Sequence, residues 1–177
     1  MTRPRSTSVS RYGLVCLVFL GLLTTIHIPE GSATALRLND EQLVAYSHLI
    51  VEGRVVSMRS EWNAQRTQIQ TVVIIDVAQT LKGMVASPAS FTMRMLGGRV
   101  GDIVQQLSDA PTFAVDQDVI VFFERDPSNP VSITGLSQGK MTIVTDASGR
   151  KIVVERAIPY DEFVDSVEHW VATEAGR

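Results

Sequence analysis

The stretch Thr71-Val72-Val73-Ile74-Ile75-Asp76-Val77 carries the strongest secondary-structure signal in this chain. β-Branched residues dominate it, and they favour strands because their stiff side chains pack well on a pleated surface. The stretch lies within residues 67–81, which the pattern predicts to be one long strand that ends at Lys82-Gly83. A strand of this length is expected to bend or to cross most of its sheet.

Similar patterns before and after this segment predict further strands. They cover residues 49–58, 91–96, 103–107, 118–124, 131–136, 140–144 and 151–154. Gly53 is expected to mark a bulge or sharp bend in the first of them. Polar and turn-forming residues predict a turn at residues 60–66, a surface turn at residues 126–130 and a hairpin loop at residues 145–149.

Two helices are predicted, one on each side of the strands. Asn39 or Asp40 can cap a short helix at the start of the domain. A longer helix, residues 160–173, follows Pro159. Its apolar residues recur at helical spacing and predict one stripe that packs against the domain. They are Phe163, Val164, Val167, Trp170 and Val171.

Together these elements predict an all-β fold with flanking helices. We expect a small antiparallel, OB-like, partly open barrel with a C-terminal amphipathic helix, because a curled sheet leaves few exposed edges. A β-sandwich is the alternative. Residues 36–177 are predicted to form a single domain.

The first 35 residues are typical of a secretion signal. Three arginines begin it, an apolar run covers residues 13–23, and Ala33-Thr34-Ala35 matches the small-x-small pattern before a cleavage site. The run is shorter than the roughly 20 apolar residues that a spanning helix needs, so no stable membrane anchor is expected after cleavage. The sequence therefore predicts cleavage after Ala35 and a secreted or periplasmic protein that starts at Leu36.

Charge and cysteine content narrow the range of functions. Without residues 1–35, the chain keeps 13 basic and 18 acidic residues, a net charge of about −5. An acidic domain without a basic cluster is a poor ligand for a phosphate backbone, so no nucleic-acid partner is expected. Cys16, the only cysteine, lies in the predicted signal. The remaining chain would have neither a disulfide nor a reactive thiol.

The sequence contains no recognisable catalytic or metal-binding motif, and we expect neither an enzyme nor a cofactor. A serine nucleophile needs a nearby base, and the predicted domain has only His48 and His169, with no nucleophile elbow. His48 is interpreted as a packing residue, and His169 as a structural residue in the last turn of the final helix. Two isolated histidines do not make a zinc site, and Asp116 and Asp118 lack a surrounding calcium loop.

The glycine-rich segment 97–102 is the candidate binding site. It is predicted to be a loop or bulged corner, and it lacks the helix start that a phosphate-binding loop requires. Its exposed tip could contact a partner through Arg99. The proposed partner-binding residues are Gly97, Gly98, Arg99, Gly101 and Asp102.

Several short motifs along the chain carry a resemblance. They are Val51-Glu52-Gly53-Arg54-Val55, residues 71–77, Thr80-Leu81-Lys82-Gly83, Gly97-Gly98, residues 118–123 and Gln138-Gly139-Lys140. In this order they resemble a group of uncharacterised secreted bacterial proteins. More remotely, they resemble the netrin-like domain of the tissue inhibitors of metalloproteinases, an OB-like barrel. The resemblance covers about residues 49–144.

The resemblance implies a fold and a protein-binding role. In the inhibitors an N-terminal cysteine reaches the protease zinc, whereas this chain is predicted to start at Leu36-Arg37-Leu38 without a cysteine. The zinc-chelating mechanism therefore does not transfer.

We expect a secreted, non-enzymatic protein-interaction module, one that regulates or accompanies an extracellular protease. Two alternatives stay open: a small hydrolase that uses dispersed carboxylates, and a carrier that holds an apolar ligand inside the barrel. Exposed apolar residues at one end of the barrel would favour the first function. Facing carboxylates in a cleft would favour the hydrolase, and a large apolar cavity would favour the carrier.

Overall fold

The computed structural model describes residues 37–85, 90–125 and 132–176. The α-helices are α1 (Asp40–Tyr46) and α2 (Tyr160–Ala175). The strands are β1 (Ser47–Trp62), β2 (Ile69–Lys82), β3 (Ser90–Leu96), β4 (Gly98–Val100), β5 (Ile103–Gln105), β6 (Asp118–Glu124), β7 (Ser132–Ile133), β8 (Lys140–Thr145), β9 (Lys151–Val153) and β10 (Ile158–Pro159). The predicted signal and the predicted turn at residues 126–130 lie outside the described residues.

The strands form one large antiparallel sheet and one small hairpin. The large sheet has the order β10–β9–β8–β6–β1–β2–β3, and β7 pairs with β6 beyond the end of β8. β4 and β5 pair only with each other. The sheet is not closed into a barrel, because β10 and β3 end it without pairing to each other. The predicted class, a partly open all-β fold with flanking helices, is confirmed.

The strand β6 and the first half of β1 are buried on both faces. On one face Ile120 and Phe122 pack with residues of α1 and α2. On the other face Val121 and Phe123 pack with apolar residues of β2 and β3. Burial on both faces explains why β6 is apolar at consecutive positions instead of alternating. The space that the curled sheet encloses near β2 and β3 is filled by this second core.

Both helices form where the sequence predicts them. Asn39 caps α1: its side chain accepts a bond of 2.8 Å from the Gln42 N–H, and the Gln42 side chain accepts one of 3.0 Å from the Asn39 N–H. This reciprocal pair is a capping box. The predicted stripe on α2 is confirmed, since Phe163 and Val167 are fully or almost fully buried. Each such side chain contributes about 1.5–3 kcal/mol on burial.

Several local predictions were wrong. β1 continues to Trp62, so the predicted turn at residues 60–66 begins later than expected. Of the described residues in the strand predicted at 131–136, only Ser132–Ile133 form a strand. His169 lies more than one turn before the end of α2 at Ala175 and not in its last turn. The predicted bulge at Gly53 is confirmed by a register shift between Glu52 and Gly53.

Candidate functional site

The glycine-rich segment forms a small hairpin and not only the loop that the sequence predicts. Val100 pairs with Ile103, so β4 and β5 are joined by the two residues Gly101 and Asp102. Gly101 has a φ of +60°. A two-residue hairpin turn requires a positive φ at its first position in either common type, and glycine adopts it without strain. Gly101 therefore shapes the tip, and Arg99 and Asp102 lie exposed beside it.

Three hydrogen bonds fix the base of this hairpin to β2. The Gly97 N–H donates to the Ile69 carbonyl at 2.8 Å. The Thr71 hydroxyl donates to the Gly97 carbonyl, also at 2.8 Å. The Ile69 N–H donates to the side-chain oxygen of Gln105 at 2.8 Å. The hairpin is therefore held at its base and free at its tip.

Gly98 permits a close approach between the hairpin and the large sheet. A Cβ atom at Gly98 would lie 2.5 Å from Thr71 Oγ1 and even closer to Ser60 Oγ. Its φ is +135°, which side chains rarely adopt. Gly97 is buried at the same junction. The two predicted glycines therefore position the hairpin, and the exposed candidates for direct contact are Arg99 and Asp102.

Exposed apolar side chains surround the hairpin. We call four of them the hairpin patch: Leu96, Ile103, Val104 and Leu107, which are 45–54% exposed. Scattered exposed apolar residues are normal, whereas a group of them on one projecting element is a candidate contact surface. The predicted site and the patch belong to the same element.

A groove of about 480 Å³ runs beside the hairpin. Met58 and Met95 line it on the sheet side, and Leu107, Pro111 and Phe113 line it on the other side. Gly97 and Gly98 also line it. Apolar grooves of this size with a few polar groups are typical binding sites.

A buried lysine supports the wall of this groove. The Lys140 ammonium lies 5.6 Å from the centroid of the Phe113 ring, a favourable cation–π distance. It also donates to Thr142 Oγ1 at 2.6 Å and lies 3.8 Å from a Glu155 carboxylate oxygen. Burial lowers the pKa of Lys140, and the charge of Glu155 partly opposes this shift. The sequence did not mark Lys140 as a site residue, because two of its partners, Phe113 and Glu155, lie in separate segments of the chain.

A second, polar pocket of about 280 Å³ contains three carboxylates, Glu52, Asp76 and Asp118. Arg54 holds Asp118 through two hydrogen bonds of 2.7 and 2.9 Å. That contact raises the pKa of Arg54. Two of the three carboxylates have protein partners, since Glu52 is bonded as well.

Glu52 is the buried member of this pocket, with 8% of its surface exposed. It accepts a hydrogen bond of 2.8 Å from the Tyr160 hydroxyl and one of 2.6 Å from the Gln79 amide. Burial and the neighbouring Glu52 raise the pKa of the Tyr160 phenol well above its usual range. The network joins β1 and β2 to the start of α2, which is a structural role.

Among the described residues, no group of three or more His, Cys, Asp or Glu side chains could hold a metal ion. His48 has a buried Nδ1 without a hydrogen-bond partner in this part of the chain, and His169 is exposed on α2. No helix in the same residues has the length and apolar character to cross a membrane.

Comparisons with protein-family models, curated proteins and solved structures found no match for this chain. The resemblance to secreted bacterial proteins and to the netrin-like domain therefore stays a prediction.

Proposed function

We propose that this protein is a secreted interaction module that binds another protein through the β4–β5 hairpin and the adjoining groove, and that it acts by binding instead of catalysis. The partner is an extracellular protease or a protein that accompanies one. Export follows from the predicted signal, with cleavage after Ala35. The observation that carries the proposal is the hairpin patch next to an apolar groove.

The patch supports binding because burying exposed apolar surface is the main favourable term in most protein association. Interfaces combine an apolar centre with a polar rim. Here Val104 supplies exposed apolar surface on the face of the hairpin that also carries Arg99, and Ile103 supplies it on the opposite face beside Val100.

The anchored base supports binding for a second reason. A partner loses less free energy when it meets a surface that is already ordered. The bonds from Gly97, Thr71 and Ile69 hold the base of the hairpin in one position before any contact.

The two alternative functions have weaker support. In the polar pocket, Asp118 is paired with Arg54 and Glu52 is bonded to Tyr160. Neither carboxylate is therefore poised as a free acid or base. For a carrier, the sheet does not close into a barrel around a ligand, and side chains such as Val121 and Phe123 on its inner face belong to the core.

The test is affinity capture with the immobilised full chain against secreted and periplasmic proteins of its source, read by mass spectrometry. A captured partner is then titrated against two matched variants. Val104→Asp changes a side chain 47% exposed in the hairpin, and Val144→Asp changes one 43% exposed on β8. We expect Val104→Asp to weaken binding by about tenfold or more, as truncated contact residues do, and Val144→Asp to leave it unchanged.

The charged tip is tested separately with the double variant Arg99→Ala with Asp102→Ala. An unchanged affinity in this variant removes the tip from the site. Equal effects of Val104→Asp and Val144→Asp would refute the hairpin as the binding surface. If the partner is a protease, its activity on a peptide substrate is measured with and without the protein.

A further inference from the structure

β3 is an edge strand of the large sheet. Among the described residues it pairs with β2 alone. An unpaired edge carries a row of N–H and C=O groups that can accept another strand. The direction in which these groups point follows from two hydrogen bonds at one end of the sheet.

The first bond is Gly97 N–H to Ile69 C=O, and the second is Asn63 N–H to Gln68 C=O. In an antiparallel pair, every second residue directs its backbone groups to the same neighbour. Odd-numbered residues of β3 therefore bond to β2, as Gly97 does just beyond the strand. The second bond shows that the even-numbered residues of β2 direct their backbone groups to β1. The odd-numbered residues of β2 then direct theirs to β3, which agrees with the bond from Gly97 to Ile69.

The even-numbered residues Thr92, Arg94 and Leu96 consequently direct their backbone groups away from β2. All three are exposed. No backbone hydrogen bond to these groups occurs within the described part of the chain outside the sheet ladders. The free edge thus offers donors and acceptors at regular spacing over most of β3.

The two faces of this edge have different chemistry. On the inner face, Met93 and Met95 belong to or pack against the core, and Met95 also lines the groove. A strand added to β3 would place every second side chain beside these methionines, in the groove towards Leu107 and Phe113. Those side chains would be apolar.

On the outer face the edge carries one arginine, Arg94, and Asp76 lies farther along the same face, opposite Ser90. Arg94 lies opposite Val72, and Val72 lies opposite Arg59. Arg59 pairs with Glu61 at 2.9 Å. Arg94 forms no ion pair with any carboxylate of the described residues. Side chains on the outer face of an added strand would lie beside Arg94, and an acidic residue there complements its charge.

We propose that the β3 edge binds an extended segment of the protein partner as an added strand. Apolar residues of that segment alternate with acidic ones, the apolar residues in the groove and the acidic residues beside Arg94. This mode of binding draws affinity from backbone hydrogen bonds and specificity from alternate side chains. The inference rests on the proposed function and names the chemistry of the partner.

The probes are seven-residue peptides, the length of β3. In one array, valine, isoleucine, leucine or phenylalanine alternates with aspartate or glutamate, and in the matched array it alternates with lysine or arginine. Binding to the full chain is measured by fluorescence anisotropy. We expect the best acidic peptides to bind at least about tenfold more tightly than their basic counterparts, and less tightly at high salt.

Two variants and a modified peptide locate the contact. Arg94→Glu should reverse the charge preference, whereas Lys151→Glu, with the same change in net charge but on β9 near the opposite edge, should keep it. Thr92→Pro removes an outward N–H and should abolish binding. In case this variant does not fold, N-methylation of the peptide backbone at alternate residues provides the same test on unchanged protein.

Hydrogen exchange gives the direct signature of strand addition. In the free protein the amides of Phe91, Met93 and Met95 should exchange slowly and those of Thr92, Arg94 and Leu96 quickly. The bound peptide should slow the second group.

Three results would overturn the inference: no acidic peptide binds better than the basic set, the outward amides stay unprotected, or they are already protected by self-association of the free protein. The outcome of the capture experiment is independent. A partner that binds Thr92→Pro normally but fails with Val104→Asp would leave the proposed function intact and reject strand addition.

Discussion

Replacing Gly98 by alanine tests whether the hairpin is held as rigidly as its contacts indicate. The new Cβ atom would lie 2.5 Å from Thr71 Oγ1, and its nearest contact would be Ser60 Oγ. Both hydroxyl oxygens can rotate about χ1, but Ser60 Cβ would also lie only 2.9 Å away, and it is attached to the backbone of β1 and cannot retreat far. The hairpin must therefore lift away from β1 and β2. Gly149→Ala is the matched control, since that glycine has a φ of +85° and no atom within 4 Å of a Cβ.

The expected magnitude follows from the contacts that each change affects. In the left-handed region a positive φ costs alanine about 1–2 kcal/mol, and the φ of +135° at Gly98 lies outside that region, so its backbone strain is at least as large as that at Gly149. Gly98→Ala also disturbs the Thr71 bond to the Gly97 carbonyl and the bond of 3.0 Å between Ser60 and Thr71. At about 1 kcal/mol for each hydrogen bond, Gly98→Ala should destabilise the protein by about 2 kcal/mol more than Gly149→Ala.

The assay is urea unfolding of the full-chain variants, combined with exchange of the Gly97 amide. With a urea slope of about 1–3 kcal/mol per molar, the midpoints of the two variants should differ by about 1 M. The Gly97 amide, bonded to Ile69, should exchange faster only in Gly98→Ala. Equal midpoints together with equal exchange rates would refute the view that the hairpin base is rigid.

Three further predictions concern export and pH. The exported protein should begin at Leu36, and an intact mass that includes residues 1–35 would contradict this. Burial, and then the neighbouring Glu52, raise the pKa of the Tyr160 phenol. The contribution of Tyr160 to the free energy of unfolding is therefore complete below about pH 10, and it is lost above that pH as the phenol ionises. In urea unfolding, Tyr160→Phe should flatten this alkaline loss of stability. A hydrogen bond from Ser148 and one from the Arg150 backbone lower the pKa of Asp146 to about 2. The ionised carboxylate therefore stabilises the protein above the ordinary aspartate pKa of about 3.9, and this stabilisation is lost as the pH falls towards 2. Asp146→Asn should therefore reduce stability at neutral pH but not at the lowest pH, and a carboxyl titration by NMR with an ordinary midpoint would contradict this.

Much of the fold could be predicted because its signals are local. The run of β-branched residues at 71–77 lies within β2, and the apolar stripe of residues 163–171 lies on α2. Asn39 caps α1 through a residue only three positions away. Each of these patterns is complete within one element, so its meaning does not depend on where that element is placed.

The candidate site was predicted only in part. The sequence pointed to residues 97–102 because glycines mark unusual backbone, but it did not show that they form a hairpin. Nor did it show that Ser60 and Thr71 lie beneath Gly98. The strand predicted at residues 103–107 contains β5, but β4 is only the three residues Gly98–Val100 and carries no strand pattern of its own, so the pairing could not be predicted.

The sequence by itself determined where both helices and most of the strands form, because side-chain periodicity and capping act over a few neighbouring positions. Only the tertiary structure decided that β3 would be an edge, that Lys140 would support Phe113, and that Tyr160 would bond to Glu52, 108 positions away. These relations depend on the order and register of strands that are distant in the chain. Strand order and register are set by the packing of the whole core, in which no single segment carries enough energy or information to specify its partner.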